Sequence, residues 1–98
     1  EKLKDFTKLN ENSTGENGNI ILTGIFQIPR KEVAEYAVKL NFNVRSTVSK
    51  FTDYIIIGTE NVSPSKIAKA IEYNKNGAHI KIITEDTFLT IIAENLTD

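Results

Sequence analysis

The stretch Ile20-Ile21-Leu22-Thr23-Gly24 is an unbroken apolar run that ends in a hydroxyl and a glycine. A continuous run of this kind is typical of a strand covered on both faces, as in a parallel sheet. A later stretch, Ser63-Pro64-Ser65-Lys66, combines a capping serine and a first-turn proline with a lysine. If both stretches lie at one edge of a sheet, a hydroxyl, a backbone N–H and an ammonium group converge there. This set of donors predicts a small anion site, and phosphate is the anion that we expect.

Strand-like and helix-like patterns alternate after residue 19, in the order strand, helix, strand, strand, helix, strand, helix. The predicted strands are residues 19–23, 43–46, 54–57 and 80–83. The predicted helices begin at Pro29 and Pro64, each as a first helical residue, and after Thr84 as a cap. Strands separated by helices indicate an α/β fold with a parallel sheet and right-handed crossovers. Ligands bind such sheets at the carboxyl ends of strands, which is where Thr23 and Gly24 lie.

Each predicted helix has an apolar face, which we expect to be buried against the sheet. These faces consist of Val33, Ala34, Ala37, Val38 and Leu40 in the first helix, Ile67, Ala70 and Ile71 in the second, and Phe88, Leu89, Ile91 and Ile92 in the third.

Composition excludes several classes of function. The chain has 98 residues, no cysteine and a single histidine, His79, so we expect neither a metal site nor a cofactor nor a serine–histidine relay. No apolar run approaches the ~20 residues that a membrane span requires, so a membrane partner is not expected. The formal net charge of -1 argues against a broad basic face that coats nucleic acid. Any recognition of phosphate must therefore be local.

The N-terminal part of the chain differs in composition from the rest. Leu3, Phe6 and Leu9 recur every three residues and permit a short amphipathic helix, whereas residues 10–19 are almost wholly polar. We interpret residues 1–18 as a flexible segment or linker and residues 19–98 as one domain. Methionine is absent even at position 1, which predicts that this sequence is a piece of a longer polypeptide.

Several short motifs follow one another in a fixed order. They are Thr23-Gly24, Arg30, Val48-Ser49-Lys50, Thr52-Asp53-Tyr54, Ser65-Lys66, Ile82-Ile83-Thr84-Glu85-Asp86 and Phe88-Leu89. Together they cover about three-quarters of the chain and resemble the BRCT domain family. They are most similar to the subgroup in bacterial NAD-dependent DNA ligases, the replication factor C large subunit and bacterial exonucleases of the polymerase III type.

The resemblance implies a three-layer α/β fold with a four-stranded parallel sheet in the order 2-1-3-4. Two helices would cover one face and one helix the other, and the first and third strands would be neighbours. In phosphate-binding members of the family, the matching residues are Thr23, Gly24 and Lys66. In the replication factor C type, an arginine that corresponds to Arg30 also helps to bind a 5′-phosphorylated DNA end. Lys69, one turn after Lys66, could assist.

The chain departs from the family pattern at several positions. The usual paired glycines after the first helix are replaced by Asn41-Phe42-Asn43, and asparagine tolerates the left-handed conformation that this turn requires. Pro29 replaces the common serine before the arginine, residues 73–79 form a longer segment than usual, and Phe88 stands in for a tryptophan of the last helix.

Two functions stay open from the sequence. The first is a non-catalytic module that recognises phosphate, as a 5′-phosphorylated DNA end, for a replication or repair enzyme. The second is a protein–protein interaction module that takes a protein or phosphopeptide partner. An independent enzyme is disfavoured because no nucleophile–base pair can be assembled. Asp53 has no second carboxylate or base placed to work with it, and we interpret Asp53, Tyr36 and Tyr73 as structural. The parent would be a DNA ligase or polymerase III-type exonuclease in a bacterial cytoplasm, at the nucleoid, and the isolated domain would be monomeric.

Overall fold

The computed structural model describes residues 10–11 and 13–96. Strands and helices follow one another in the predicted order within this part of the chain. They are β1 (Gly18–Thr23), α1 (Arg30–Lys39), β2 (Phe42–Arg45), β3 (Thr52–Ile57), α2 (Pro64–Lys75), β4 (Lys81–Thr84) and α3 (Glu85–Leu96). The short helix predicted over Leu3, Phe6 and Leu9 lies outside the described residues. No helix in the described ranges is long and apolar enough to cross a membrane.

The four strands form one parallel sheet in the order β2-β1-β3-β4. Ile21 of β1 pairs with Ile55 of β3, which confirms that the first and third strands are neighbours. Pairing with β2 stops earlier, at Ile21 and Arg45, so the last residues of β1 extend beyond its edge partner. The carboxyl end of β1 is therefore bordered by β3 on one side and has no paired strand on the other.

Apolar side chains cover both faces of the sheet. Successive residues of a strand point to opposite faces, so Ile20 and Ile21 belong to different core clusters. The Ile20 cluster contains Val33 and other residues of α1 together with Phe88 and Ile92 of α3. The Ile21 cluster contains Ala70 of α2, with Ile67 and Tyr73 packed against it. Two helices thus cover one face and one helix the other, and the predicted α/β fold is confirmed.

The predicted helix caps are largely confirmed. The Ser63 hydroxyl caps α2 with Pro64 at its first turn, and the Thr84 hydroxyl accepts from the N–H of Thr87 over 3.2 Å at the start of α3. Asn41 adopts a left-handed conformation with φ of 65°, as the turn before β2 requires. Pro29 was predicted as the first residue of α1, but it is the N-cap, because its ψ of 138° is extended rather than helical.

The prediction that Ile71 is a core residue is wrong. Ile71 is 50% exposed, because α2 contacts the sheet through Ala70 and the residues three positions before and after it. Ile71 is one helical step of about 100° beyond Ala70, on the flank of that contact.

Part of the polar N-terminal segment contacts the outer edge of β2. The side-chain amide of Asn10 donates to the carbonyl oxygen of Val44 over 3.0 Å and accepts from the N–H of Val44 over 2.9 Å. The N–H of Asn17 donates to the carbonyl oxygen of Asn41 over 3.1 Å. The Asn10 contacts lie on the side of β2 that faces away from β1. The Asn17 contact instead continues the β1–β2 pairing by one residue.

Candidate functional site

Thr23 links the end of β1 to the start of α2. Its side-chain oxygen accepts a hydrogen bond from the N–H of Ser63 over 2.9 Å, and the residue is 3% exposed. Ser63 is the N-cap of α2, and Lys66 donates its own N–H to the Ser63 hydroxyl at 3.5 Å. The first turn of α2 therefore lies at the end of β1. Because the Thr23 oxygen accepts from Ser63, its O–H hydrogen is left to donate elsewhere.

Gly24 makes the close approach between the two stretches possible. Its φ is 97°, and a Cβ at this position would lie 2.7 Å from the carbonyl oxygen of Glu60 and 3.1 Å from Cγ2 of Val62. Both contacts are with the segment that leads into α2. A side chain at position 24 is thus opposed by backbone conformation and by a neighbouring main chain.

Arg30, the first residue of α1, folds back onto the end of β1. Its Nη1 donates to the carbonyl oxygen of Leu22 over 3.0 Å, and its Nη2 donates to that of Gly24. Leu22 and Gly24 are alternate residues, so their carbonyl groups face the same edge of β1. Because β2 no longer pairs with β1 here, the guanidinium binds these carbonyls in place of a neighbouring strand. The guanidinium carbon, Cζ, lies 5.4 Å from the centre of the Phe26 ring. Burial lowers the pKa of the guanidinium.

Lys66 and Lys69 lie on successive turns of α2. Lys66 is half-buried in the first turn, whereas Lys69 is exposed one turn further from Thr23. The first turn of α2 has no acidic residue, although α1 has Glu32 and α3 has Glu85 and Asp86 in theirs. A helix N-terminus favours negative charge, so a first turn that carries a lysine instead leaves room for an external anion.

The hydroxyls of Ser63 and Ser65 lie 3.1 Å apart beside this turn. Ser65 is exposed and was not predicted as a site residue. In the sequence, Ser65 stood out only as part of the Ser65-Lys66 motif.

Glu85 holds the loop that leads into α1. The residue is 3% exposed, and its carboxylate accepts from the N–H of Gln27 over 2.8 and 3.0 Å and from the N–H of Ile28 over 3.2 Å. This carboxylate fixes the loop between Gly24 and Arg30, and sequence reasoning missed that role. An acidic residue at the start of a helix is fully accounted for by the helix dipole, so nothing in the sequence indicated a distant partner.

Other candidate residues have structural roles. Asp53 accepts from the N–H of Asn19 over 2.8 Å and so joins β3 to the start of β1. Tyr36 and Tyr73 pack against the two core clusters, as the sequence predicted.

The site thus brings predicted residues together through the main chain. Thr23 contacts the α2 cap, and Gly24 contacts both Arg30 and the segment before α2. A hydroxyl donor, a guanidinium and the first turn that carries Lys66 surround one strand end. Such a set can bind a small oxyanion through charge-assisted hydrogen bonds.

Comparisons with known proteins give a consistent result. The family model described as BRCA1 C Terminus (BRCT) domain matches residues 18–92, a range that contains every predicted site residue. A DNA ligase of Malacoplasma penetrans is 36% identical over 85 residues, which cover 86% of this chain and 11% of the ligase. A DNA ligase of Thermosipho africanus is 39% identical over 75 residues, which cover 76% of this chain and 10% of the ligase. A Bradyrhizobium DNA ligase (strain ORS 278) is 32% identical over 94 residues, which cover 95% of this chain and 12% of the ligase. The matched part is thus about one tenth of each ligase.

Proposed function

Because this chain belongs to the BRCT domain family, we propose that it is a non-catalytic binding module that recognises a phosphate group, and that its ligand is a 5′-phosphorylated DNA end. The relatives support DNA as the ligand, since a DNA ligase acts on DNA. The chain is homologous to a part of these DNA ligases that spans about one tenth of their length.

The observation that carries the proposal is the hydrogen bond from the N–H of Ser63 to the side-chain oxygen of Thr23. Among the described helices, only α2 has a first turn without an acidic residue. This hydrogen bond joins that turn to the end of β1. An anion at this junction meets the positive end of the α2 dipole and the strand end at once.

Each predicted residue has a distinct role in the proposal. Thr23 donates its hydroxyl hydrogen and Gly24 its N–H, while Lys66 makes a charge-assisted hydrogen bond to a phosphate oxygen. Arg30 already binds the carbonyls of Leu22 and Gly24 and supplies a second cation beside them. Lys69, one helical turn after Lys66, adds a further positive charge that attracts the anion.

The expected affinity is low. Each charge-assisted hydrogen bond contributes about 1.5–3 kcal/mol, and association costs several kcal/mol. Three or four such bonds leave about 4–6 kcal/mol, which corresponds to millimolar to tens-of-micromolar binding. The module would therefore act beside other DNA contacts of a longer protein, where tethering raises its effective concentration.

The first test compares two duplexes of one sequence, with and without a 5′-phosphate, titrated into the 98-residue chain. We expect the phosphorylated duplex to bind more tightly and Lys66→Ala to weaken that binding by about tenfold or more, because it removes a charge-assisted bond. Lys75→Ala is the matched control, since Lys75 is an exposed lysine at the other end of α2. Equal binding of the two duplexes, or an unchanged affinity in Lys66→Ala, contradicts the proposal.

A phosphoserine peptide distinguishes the alternative function. If the chain is a protein-interaction module, the peptide binds with the same dependence on Lys66 while the 5′-phosphate on DNA has no effect. We expect the opposite result.

The relatives also favour a DNA ligase over an exonuclease as the longer protein that contains this domain. Sequencing of the reading frame around this segment tests this part of the proposal. A nucleotidyltransferase module in the same frame supports it, and an exonuclease module contradicts it.

A further inference from the structure

Ile25 combines an exposed side chain with a fixed main chain. Its side chain is 51% exposed directly after Gly24. Its N–H donates to the carbonyl oxygen of Glu60 over 2.7 Å, and its own carbonyl oxygen accepts from the N–H and the hydroxyl of Thr59 over 2.8 and 3.2 Å. Both polar groups of the Ile25 main chain are thus held by the segment between β3 and α2.

Close packing on both sides of this contact fixes the main chain of Ile25 against the segment before α2. A Cβ on Gly58 would lie 2.3 Å from the carbonyl oxygen of Ile25, and a Cβ on Gly24 would lie 2.7 Å from that of Glu60. Glycine at both positions lets the two main chains approach closely. The exposure of Ile25 is therefore built into the fold, and a ligand can contact it without a cost for ordering the loop.

Ile25 is the exposed apolar side chain next to the proposed phosphate site. Consecutive Cα atoms lie about 3.8 Å apart, so its Cα adjoins that of Gly24. The other large exposed apolar residues of the described chain lie elsewhere. Phe51 precedes β3 at the opposite end of the parallel sheet, Ile71 lies on α2 and Ile82 on the edge strand β4.

We propose that Ile25 contacts the unstacked face of the terminal base pair of a duplex whose 5′-phosphate binds at Thr23, Gly24 and Lys66. This inference rests on the proposed function. The last base pair of a duplex has one face without a stacking partner, and its sugar carries the 5′-phosphate. Isoleucine is one of the apolar side chains that proteins place against base steps.

The test uses a 5′-phosphorylated duplex with 2-aminopurine as the 5′-terminal base, and inorganic phosphate as a second probe. We expect Ile25→Ala to weaken duplex binding about threefold to tenfold, because apolar contact area is lost. Binding of inorganic phosphate is expected to stay unchanged.

We expect Ile25→Trp to bind the duplex more tightly than Ile25→Ala, because an aromatic ring also stacks on a base. The fluorescence of the terminal 2-aminopurine is expected to change on binding in the wild type and less in Ile25→Ala.

Ile71→Ala is the matched control, because Ile71 is 50% exposed and has the same side chain. Ile25→Thr retains the β-branched shape and serves as a second variant if Ile25→Ala is unstable.

If the Ile25 variants bind the duplex as the wild type does, while Lys66→Ala still binds it more weakly, this inference is overturned and the proposed function stands. No preference of the wild type for the phosphorylated duplex overturns both. A loss of phosphoserine-peptide binding without a loss of duplex binding in Ile25→Ala overturns the terminal base pair as the contact.

Discussion

Two glycines with similar backbone angles differ in their surroundings. Gly24 has a φ of 97° and Gly77 a φ of 108°, but a Cβ on Gly77 meets nothing within 4 Å. A side chain introduced at position 77 would therefore meet conformational strain but no collision. At Gly24 the same strain is joined by a collision with the main chain of Glu60.

We expect Gly77→Ala to lower the free energy of unfolding by about 1–3 kcal/mol, the usual cost of an unfavourable backbone conformation. Gly24→Ala is expected to lower it by clearly more, because the Glu60 carbonyl must also move. Denaturant unfolding monitored by circular dichroism measures both variants. Equal losses would show that the main chains near Gly24 separate easily.

At the scale of whole elements, Glu85 attaches the start of α3 to the loop before α1. Its carboxylate is the acceptor for the N–H groups of Gln27 and Ile28. Glu85→Ala leaves these groups without their acceptor, and we expect a loss of about 1–3 kcal/mol in the free energy of unfolding. Asp86→Ala is the control, because Asp86 is exposed in the same first turn and contributes only about 0.3–1 kcal/mol through the helix dipole. Similar losses in both variants would argue that the Glu85 contacts contribute little.

The sequence predicted the elements well because their signals are local. The Ser63-Pro64 cap of α2 and the apolar run in β1 depend on residues adjacent in the chain, and both were found as predicted. Pro29 shows the limit of such signals. A φ near -55° fits a proline both as an N-cap and as a first helical residue. Only ψ distinguishes the two positions, and the proline ring does not fix ψ.

The contacts of the candidate site were less predictable, because they depend on distant partners. Arg30 was predicted at the start of α1, but its hydrogen bonds to β1 follow from the early end of β2 pairing. Strand register is not visible in a single sequence. The partner of Glu85 lies 58 residues away in the sequence, at Gln27. The rotation of α2 about its axis, which leaves Ile71 exposed, is likewise set by packing against the sheet. The phosphate-binding roles of Thr23, Gly24, Arg30, Lys66 and Lys69 stay predictions.

At the scale of the whole molecule, charge limits how DNA can be bound. The chain has 12 lysines and arginines against 13 acidic residues. The logarithm of a DNA-binding constant falls with the logarithm of salt concentration, with a slope of about -0.9 for each phosphate neutralised.

We expect a slope between about -1 and -2 for this chain, because the proposed site holds one terminal phosphate and at most one neighbour. Fluorescence anisotropy of a labelled 5′-phosphorylated duplex over a series of sodium chloride concentrations measures it. The unphosphorylated duplex is the control and is expected to give a shallower slope. A slope steeper than about -4 would indicate a broad basic surface and contradict the local site.

The pairing of Asn10 with Val44 has a consequence for how copies of this chain behave toward one another. An unpaired outer strand is a template onto which a strand from another molecule can add. One amide side chain occupies both the N–H and the carbonyl of Val44, which are the groups that such an addition would use. A shortened chain that begins at Gly18 would expose these groups, and concentrated solutions of it would self-associate through β2. We therefore expect Asn10 to limit the addition of a strand from another copy at this edge.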